Sequence, residues 1–192
     1  MKLGIFGGTF DPPHVGHLIV AEDAAAALGL DRILFVPTGT HPLKGERVET
    51  PAAIRVEMIE AATSDSELFS VDGRETHRSG PSYTIDTIHE LKEENPGAEL
   101  YLLIGSDILS EIQRWHRMEE LAQSARVVVM SRAGADAEPG GISGVELMSV
   151  AVTDVAISSS DIRDRVRAGR PYRYMVPESV RQVMEKYSLY EE

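Results

Sequence analysis

Residues 4–17 read GIFGGTFDPPHVGH. A short apolar run, Leu3–Phe6, leads into Gly7-Gly8, then Thr9-Phe10-Asp11, two prolines, and His14 and His17. The continuous apolar character suits a strand buried on both faces. Glycines directly after such a strand let the backbone turn sharply and let a ligand approach the amides closely. Pro13 suits the first turn of a helix reaching Leu28, with Gly29 as its stop. The start of that helix presents unpaired N–H groups and a positive dipole end, so the whole stretch reads as an anion site. His14 and His17 stand at i and i+3, share a helical face and point toward that site. Neither common phosphate motif fits. The glycine spacing fails GxGxxG, and GxxxxGK[ST] is absent, which argues against a hydride-transfer dehydrogenase and a Walker-type ATPase.

Working outward, apolar runs alternate with helical patterns. Strands are expected at Leu3–Phe6, Arg32–Val36, Leu68–Val71, Leu100–Ile104, Arg126–Met130 and Val145–Val150. Helices are expected at Pro13–Leu28, Pro51–Thr63, Tyr83–Glu93, Ser160–Ala168 and Pro177–Tyr187. On the second helix Ile54, Met58 and Ala61/Ala62 are placed on one side. Alternation of this kind implies βαβ units: an α/β, doubly wound, mainly parallel sheet with helices on both faces. Ligands of such sheets bind beyond the carboxyl ends of the strands, near a topological switch point. Segment 133–144, AGADAEPGGISG, reads as a loop inside one domain spanning 1–192, with a small helical segment over about 158–192.

The composition narrows the function classes. With 192 residues and 42% hydrophobic residues the chain is long enough for one substantial core. No cysteine is present, which excludes disulfides and thiolate chemistry and favours the cytoplasm. No run approaches the roughly eighteen apolar residues of a membrane span. MKLGIFGG has too short an apolar run for a signal peptide. The net charge of −12 argues against nucleic-acid binding. It also requires that cations meeting an anionic ligand be gathered in one pocket.

A second constellation is Ile157-Ser158-Ser159-Ser160-Asp161-Ile162-Arg163. A serine there can cap the following helix, its neighbours offer hydroxyls and amides to an anion, and Arg163 adds a fork of donors. The alternative is a plain cap with a surface arginine. For the two histidines the alternatives are a zinc site, which lacks a third ligand nearby and any HExxH pattern, and two surface imidazoles.

Taken together, GGTFDPPHVGH and ISSSDIR resemble the (H/T)xGH and ISSTxxR signatures of the nucleotidyltransferase superfamily. Within it the chain is most similar to the bacterial nicotinate-nucleotide adenylyltransferases. The likeness is collinear: FVPTGTHPLK, RVEMIEAA, PSYTIDTIHEL, LLIGSDIL with Trp115, VVVMSRAG and YMVPESVRQVMEKYSLY each resemble a family segment. It implies a Rossmann-like fold and transfer of AMP from ATP, with Mg2+, to nicotinate mononucleotide. It implies phosphate chemistry at His14, His17, Lys44 and Arg163. ATP contacts are implied at Gly7, Gly8, Thr9, Phe10, Asp11, Gly105, Asp107, Arg132, Ser158, Ser159 and Ser160. Trp115 is implied to stack on the pyridine ring, with the backbone N–H groups of Thr84 and His116 receiving its carboxylate.

Two departures stand out. Where the family loop ends PPHK, this chain has His41-Pro42-Leu43-Lys44, so Lys44 aligns and the histidine does not. His116 stands where a tyrosine is common. Asp11 can hold the turn or lie near the incoming phosphate, and Asp107 can cap the following helix or bond a ribose. The rival functions are a nicotinamide-preferring or dual-specificity enzyme, a pantetheine-phosphate adenylyltransferase, and a non-catalytic nucleotide-binding module. Homo-oligomerisation stays open.

Overall fold

The structure, a computed structural model, describes residues 1–40, 48–132 and 145–191. Six parallel strands form one sheet: β1 (Lys2–Gly8), β2 (Arg32–Pro37), β3 (Phe69–Val71), β4 (Glu99–Gly105), β5 (Arg126–Arg132) and β6 (Leu147–Val152). Their order is β3-β2-β1-β4-β5-β6. The direction of travel across the sheet reverses between β1 and β4, which is where an α/β sheet opens a crevice beyond its carboxyl ends.

The helices are α1 (Val15–Leu28), α2 (Ala52–Thr63), α3 (Thr84–Glu94), α4 (Met118–Ser124), α5 (Ser159–Arg167) and α6 (Glu178–Lys186). Side chains of a strand alternate between faces, and β4 uses both. Leu100, Leu102 and Ile104 pack with Ile85, Ile88 and Leu91 of α3 and Leu121 of α4. Tyr101 and Leu103 pack on the other face with Ala21, Ala24 and Ala25 of α1 and Ile59 of α2. Each fully buried Leu or Ile contributes roughly 1.5–3 kcal/mol. A third cluster joins Met58 and Ala62 of α2 to Ile162 of α5 and to Val180, Val183 and Met184 of α6. The C-terminal helices therefore rest on α2 rather than on the sheet. Among the described residues no helix is long and apolar enough to cross a membrane.

Several expectations need correction. Gly7 and Gly8 do not form the turn; they end β1, paired with Val36 and Pro37 of β2. The left-handed residue is Phe10, at φ 51°. Pro13 lies outside α1, whose N-cap is His14. On α2 the expected side holds, with Ile54, Met58, Ala61 and Ala62 sharing one cluster, and the buried face also carries Arg55, Ile59 and Thr63. Helix α4 and the 3-10 turn Arg74–His77 were not anticipated.

Arg55 is the unexpected member of that face, only 2% exposed. Its guanidinium donates to the carbonyls of Thr9 at 2.8 Å, Thr38 at 2.9 Å and Thr50 at 3.2 Å. One planar fork thus joins the segment after β1, the segment after β2 and the approach to α2. Lysine, a point donor on a thinner stem, leaves buried carbonyls unpaired. Arg55→Lys is expected to lower the unfolding free energy by about 2–4 kcal/mol in urea titrations; a change below about 0.5 kcal/mol contradicts the assignment.

Candidate active site

At the reversal point of the sheet lies a cavity of about 440 Å³. It is lined by Gly7, Gly8, Thr9 and Gly105, at the carboxyl ends of β1 and β4. Tyr83, Thr84, Trp115 and His116 line it as well. The two glycines of β1 serve different needs. A Cβ on Gly7 would meet no atom within 4 Å, so its bare face belongs to the cavity. A Cβ on Gly8 would come within 2.9 Å of the Phe10 ring. Phe10 itself is buried beneath the turn, edge-on to His17 with ring centroids 5.0 Å apart.

His14 and His17 come together as expected, their rings stacked with centroids 3.7 Å apart. The backbone N–H of His14 donates to Nδ1 of His17 at 3.1 Å. A neutral His17 ring then carries its proton on Nε2, as a donor. His14 is buried, and its Nδ1 has no hydrogen-bond partner among the described residues. Burial lowers the His14 pKa to about 4. Burial, and then the neighbouring His14, lower that of His17. Both rings are therefore neutral donors at pH 7.

The two sequence constellations are bolted to each other. Arg163 donates to the carbonyl of Asp11 at 2.8 Å, and Ser159 Oγ donates to the carbonyl of Pro12 at 2.8 Å. Ser158 is the N-cap of α5, accepting from the N–H of Asp161 at 3.1 Å. Ser160 lies 3.5 Å from Nη2 of Arg163. Asp11 is 4% exposed, and its carboxylate is occupied. One oxygen accepts from Tyr190 Oη at 2.6 Å; the other accepts from the N–H groups of Glu49 at 3.1 Å and Thr50 at 3.4 Å. Of its two readings, these contacts describe the turn-holding one.

Trp115 lines the cavity and also packs at the edge of the α3-side cluster. Thr84, the first residue of α3, lines the same cavity. Among the described residues neither the Thr84 N–H nor the His116 N–H has a protein acceptor. The His116 ring lies against Tyr83, centroids 4.4 Å apart. Asp107 is exposed in the 3-10 turn Ser106–Ser110, whose N-cap is Gly105, so Asp107 does not cap it. A Cβ on Gly105 would collide with the Asp107 carboxylate. Lys44, His41 and the loop 133–144 lie outside the described residues, as does the side chain of Arg132.

Three residues of this region were not singled out from sequence. Arg55 had a signal: it stands one turn before Met58, on the same helical face. Glu75 lines the cavity, is 6% exposed, and accepts from Thr87 Oγ1 at 2.7 Å. Burial pushes its carboxyl pKa up. Glu49 accepts from Arg163 Nε at 3.0 Å and from Arg167. Nothing local in the sequence marks these last two.

The comparisons with known proteins agree with this geometry. A family model described as cytidylyltransferase-like matches residues 5–165. A protein of Exiguobacterium sibiricum named "Probable nicotinate-nucleotide adenylyltransferase" is 44% identical over 99% of each chain. One of Leifsonia xyli subsp. xyli with the same name is 42% identical over 98% of this chain and 94% of its own. A solved structure of Plasmodium falciparum nicotinic acid mononucleotide adenylyltransferase complexed with NaAD superposes with a TM-score of 0.80 at 21% identity. It covers 98% of this chain and 97% of that one.

The lowered imidazole pKa has a consequence for stability. The unfolded chain takes up protons on His14 near 6.5, the folded chain only near 4. Stability from this group is thus complete above pH 6.5 and falls as the pH drops toward 4. The loss amounts to at most about 3.5 kcal/mol, at roughly 1.4 kcal/mol per unit. Urea titrations of wild type and His14→Gln between pH 7 and 4.5 are expected to show a shallower acid slope in the variant; equal slopes contradict the assignment.

Proposed function

The chain belongs to the cytidylyltransferase-like family and, within it, to the nicotinate-nucleotide adenylyltransferases; on that premise we propose how its residues join ATP to nicotinate mononucleotide. The products are nicotinate adenine dinucleotide and pyrophosphate. The phosphate of the mononucleotide attacks the α-phosphorus of ATP, forming the new P–O bond as the bond to the β-phosphate oxygen breaks. The observation that carries this reading is one cavity whose lining includes both the bare face of Gly7 and, with Trp115, the free N–H groups of Thr84 and His116. Such a lining suits a phosphate chain together with an aromatic ring bearing an anionic group.

The step needs no covalent intermediate on the protein. Positioning and charge stabilisation supply the rate. Gly7 and Gly8 let the phosphates lie against the backbone, with the N–H groups of Thr9 and Phe10 beside them. His17 donates from Nε2 to an α-phosphate oxygen, where charge grows in the transition state. His14, stacked on it, serves the neighbouring oxygens. A neutral imidazole pair is suited to this, because two stacked imidazolium rings would repel before the ligand arrived. Arg163, Ser159 and Ser160 serve the triphosphate and the leaving pyrophosphate, a role the family resemblance extends to Lys44 and Arg132. Gly105 and Asp107 serve the adenosine.

Mg2+ would enter with ATP, carried by its phosphate oxygens, whose charge it would offset.

At the acceptor end Trp115 stacks on the pyridine ring, while the Thr84 and His116 N–H groups take its carboxylate. A carboxamide would set its NH₂ against those donors, leaving buried groups unpaired.

Pyrophosphate release with ATP, Mg2+ and a panel of nicotinate, nicotinamide and pantetheine phosphates tests the reading. Nicotinate mononucleotide is expected to exceed the amide in kcat/KM by about tenfold or more; equal values contradict the acceptor assignment. In the same assay His17→Ala, folded as judged by circular dichroism, is expected to lose about a hundredfold in kcat. Near-normal turnover contradicts the role of that ring.

A further inference from the structure

The phenol of Tyr190 reaches the phosphate-side turn from 179 residues away. It donates to Asp11 Oδ1 at 2.6 Å and accepts from Thr50 Oγ1 at 3.0 Å. The other Asp11 oxygen accepts from the Glu49 and Thr50 N–H groups, and the Asp11 carbonyl accepts from Arg163. All three side chains of this knot are nearly sealed: Asp11 is 4% exposed, Thr50 3% and Tyr190 8%. Burial and the Asp11 charge push the phenol pKa well above its ordinary value, which keeps the hydroxyl a donor.

Two features separate the hydroxyl from the ring. The ring belongs to the apolar cluster between α2 and α6, with Met58, Val180 and Met184. That packing anchors the C-terminal segment without any polar contact. The backbone at Tyr190 is left-handed, at φ 64°. An aromatic residue holds such a conformation only where its surroundings over-determine it. In that conformation the hydroxyl bonds Asp11, three residues before His14.

We propose that Tyr190 is a positioning residue for adenylyl transfer: its hydroxyl fixes the Asp11 carboxylate, and through it the turn that carries His14, His17 and the Arg163 contact. This rests on the adenylyl-transfer reading above. The C-terminal segment acts on the reaction through Asp11 and touches no substrate. Loss of the hydroxyl lets the Asp11 peptide rotate, and with it both the imidazole-bearing helix start and the carbonyl on which Arg163 docks. Misplacement of about 1 Å costs up to about a hundredfold in rate.

The test is steady-state pyrophosphate release by Tyr190→Phe, alongside thermal melting. Phenylalanine keeps the ring packing and removes only the hydroxyl. The expected result is a fall of about tenfold or more in kcat, with KM for ATP and nicotinate mononucleotide within about threefold, in a protein that is folded at the assay temperature. Thr50→Val, which removes the other hydroxyl of the knot, is expected to lower kcat in the same sense. Tyr187→Phe is the control, since its hydroxyl bonds Glu57 at the exposed surface, and its kcat is expected to be unchanged. Wild-type kcat in both Tyr190→Phe and Thr50→Val overturns the inference. So does a loss that disappears on cooling in step with the folded fraction, since that marks a purely structural bond. A wild-type protein that releases no pyrophosphate with any mononucleotide overturns the adenylyl-transfer reading and this inference with it.

Discussion

Asp11 is where the chain is tied together. Its carboxylate receives the amides of Glu49 and Thr50 and the phenol of Tyr190, and its carbonyl receives Arg163. Four stretches distant in sequence thereby meet on one residue, and that residue immediately precedes the two prolines and the first imidazole. A carboxylate held by several donors is fixed in place. The rest of the site depends on this. The start of α1 is aimed by the turn that Asp11 holds, α5 is docked by Arg163 and Ser159, and Arg55 secures the same turn from beneath through Thr9.

The electrostatics follow from that arrangement. A chain of net charge −12 must bind two polyanions. It does so with little bare cationic charge in the cavity, whose described lining includes one arginine, Arg114. Donor groups replace charge: in the cavity the bare face of Gly7 and the unpaired N–H groups of Thr84 and His116, and beyond its lining residues two imidazoles kept neutral by burial. Dipoles fixed by the fold need no reorganisation when charge develops, which is the most economical way to stabilise a phosphoryl transition state. Arg163 and Arg167 both meet Glu49 at the edge of the turn, so their charge is already partly balanced there.

Much of this was legible in the sequence. Alternating apolar runs fixed the sheet class, and GGTFDPPHVGH with ISSSDIR identified the two segments that meet. What escaped was set by tertiary context. Gly7 and Gly8 read as a turn because glycine pairs usually are one, yet ladder pairing with β2 extends the strand through them and leaves the bend to Phe10. Pro13 read as a helix start, but the backbone of His14 is extended, which makes it the cap. Helix α4 is seven residues long and follows Arg117 at φ 56°, too short for a periodic signal. Arg55 was visible in principle on the buried face of α2. Tyr190 was not, because its partner lies at the far end of the chain and no local pattern records such a contact.

The central claim is that His17 serves as a neutral donor from Nε2 to the reacting phosphate. Nitrogen-15 NMR of the histidine rings, with and without a non-hydrolysable ATP analogue and Mg2+, examines it most directly. Nδ1 of His17 is expected to remain an unprotonated acceptor in the free protein at pH 7, and Nε2 to shift on binding as its proton engages an oxygen. A His17 ring with its proton on Nδ1, or one whose resonances do not move when the nucleotide binds, would contradict it.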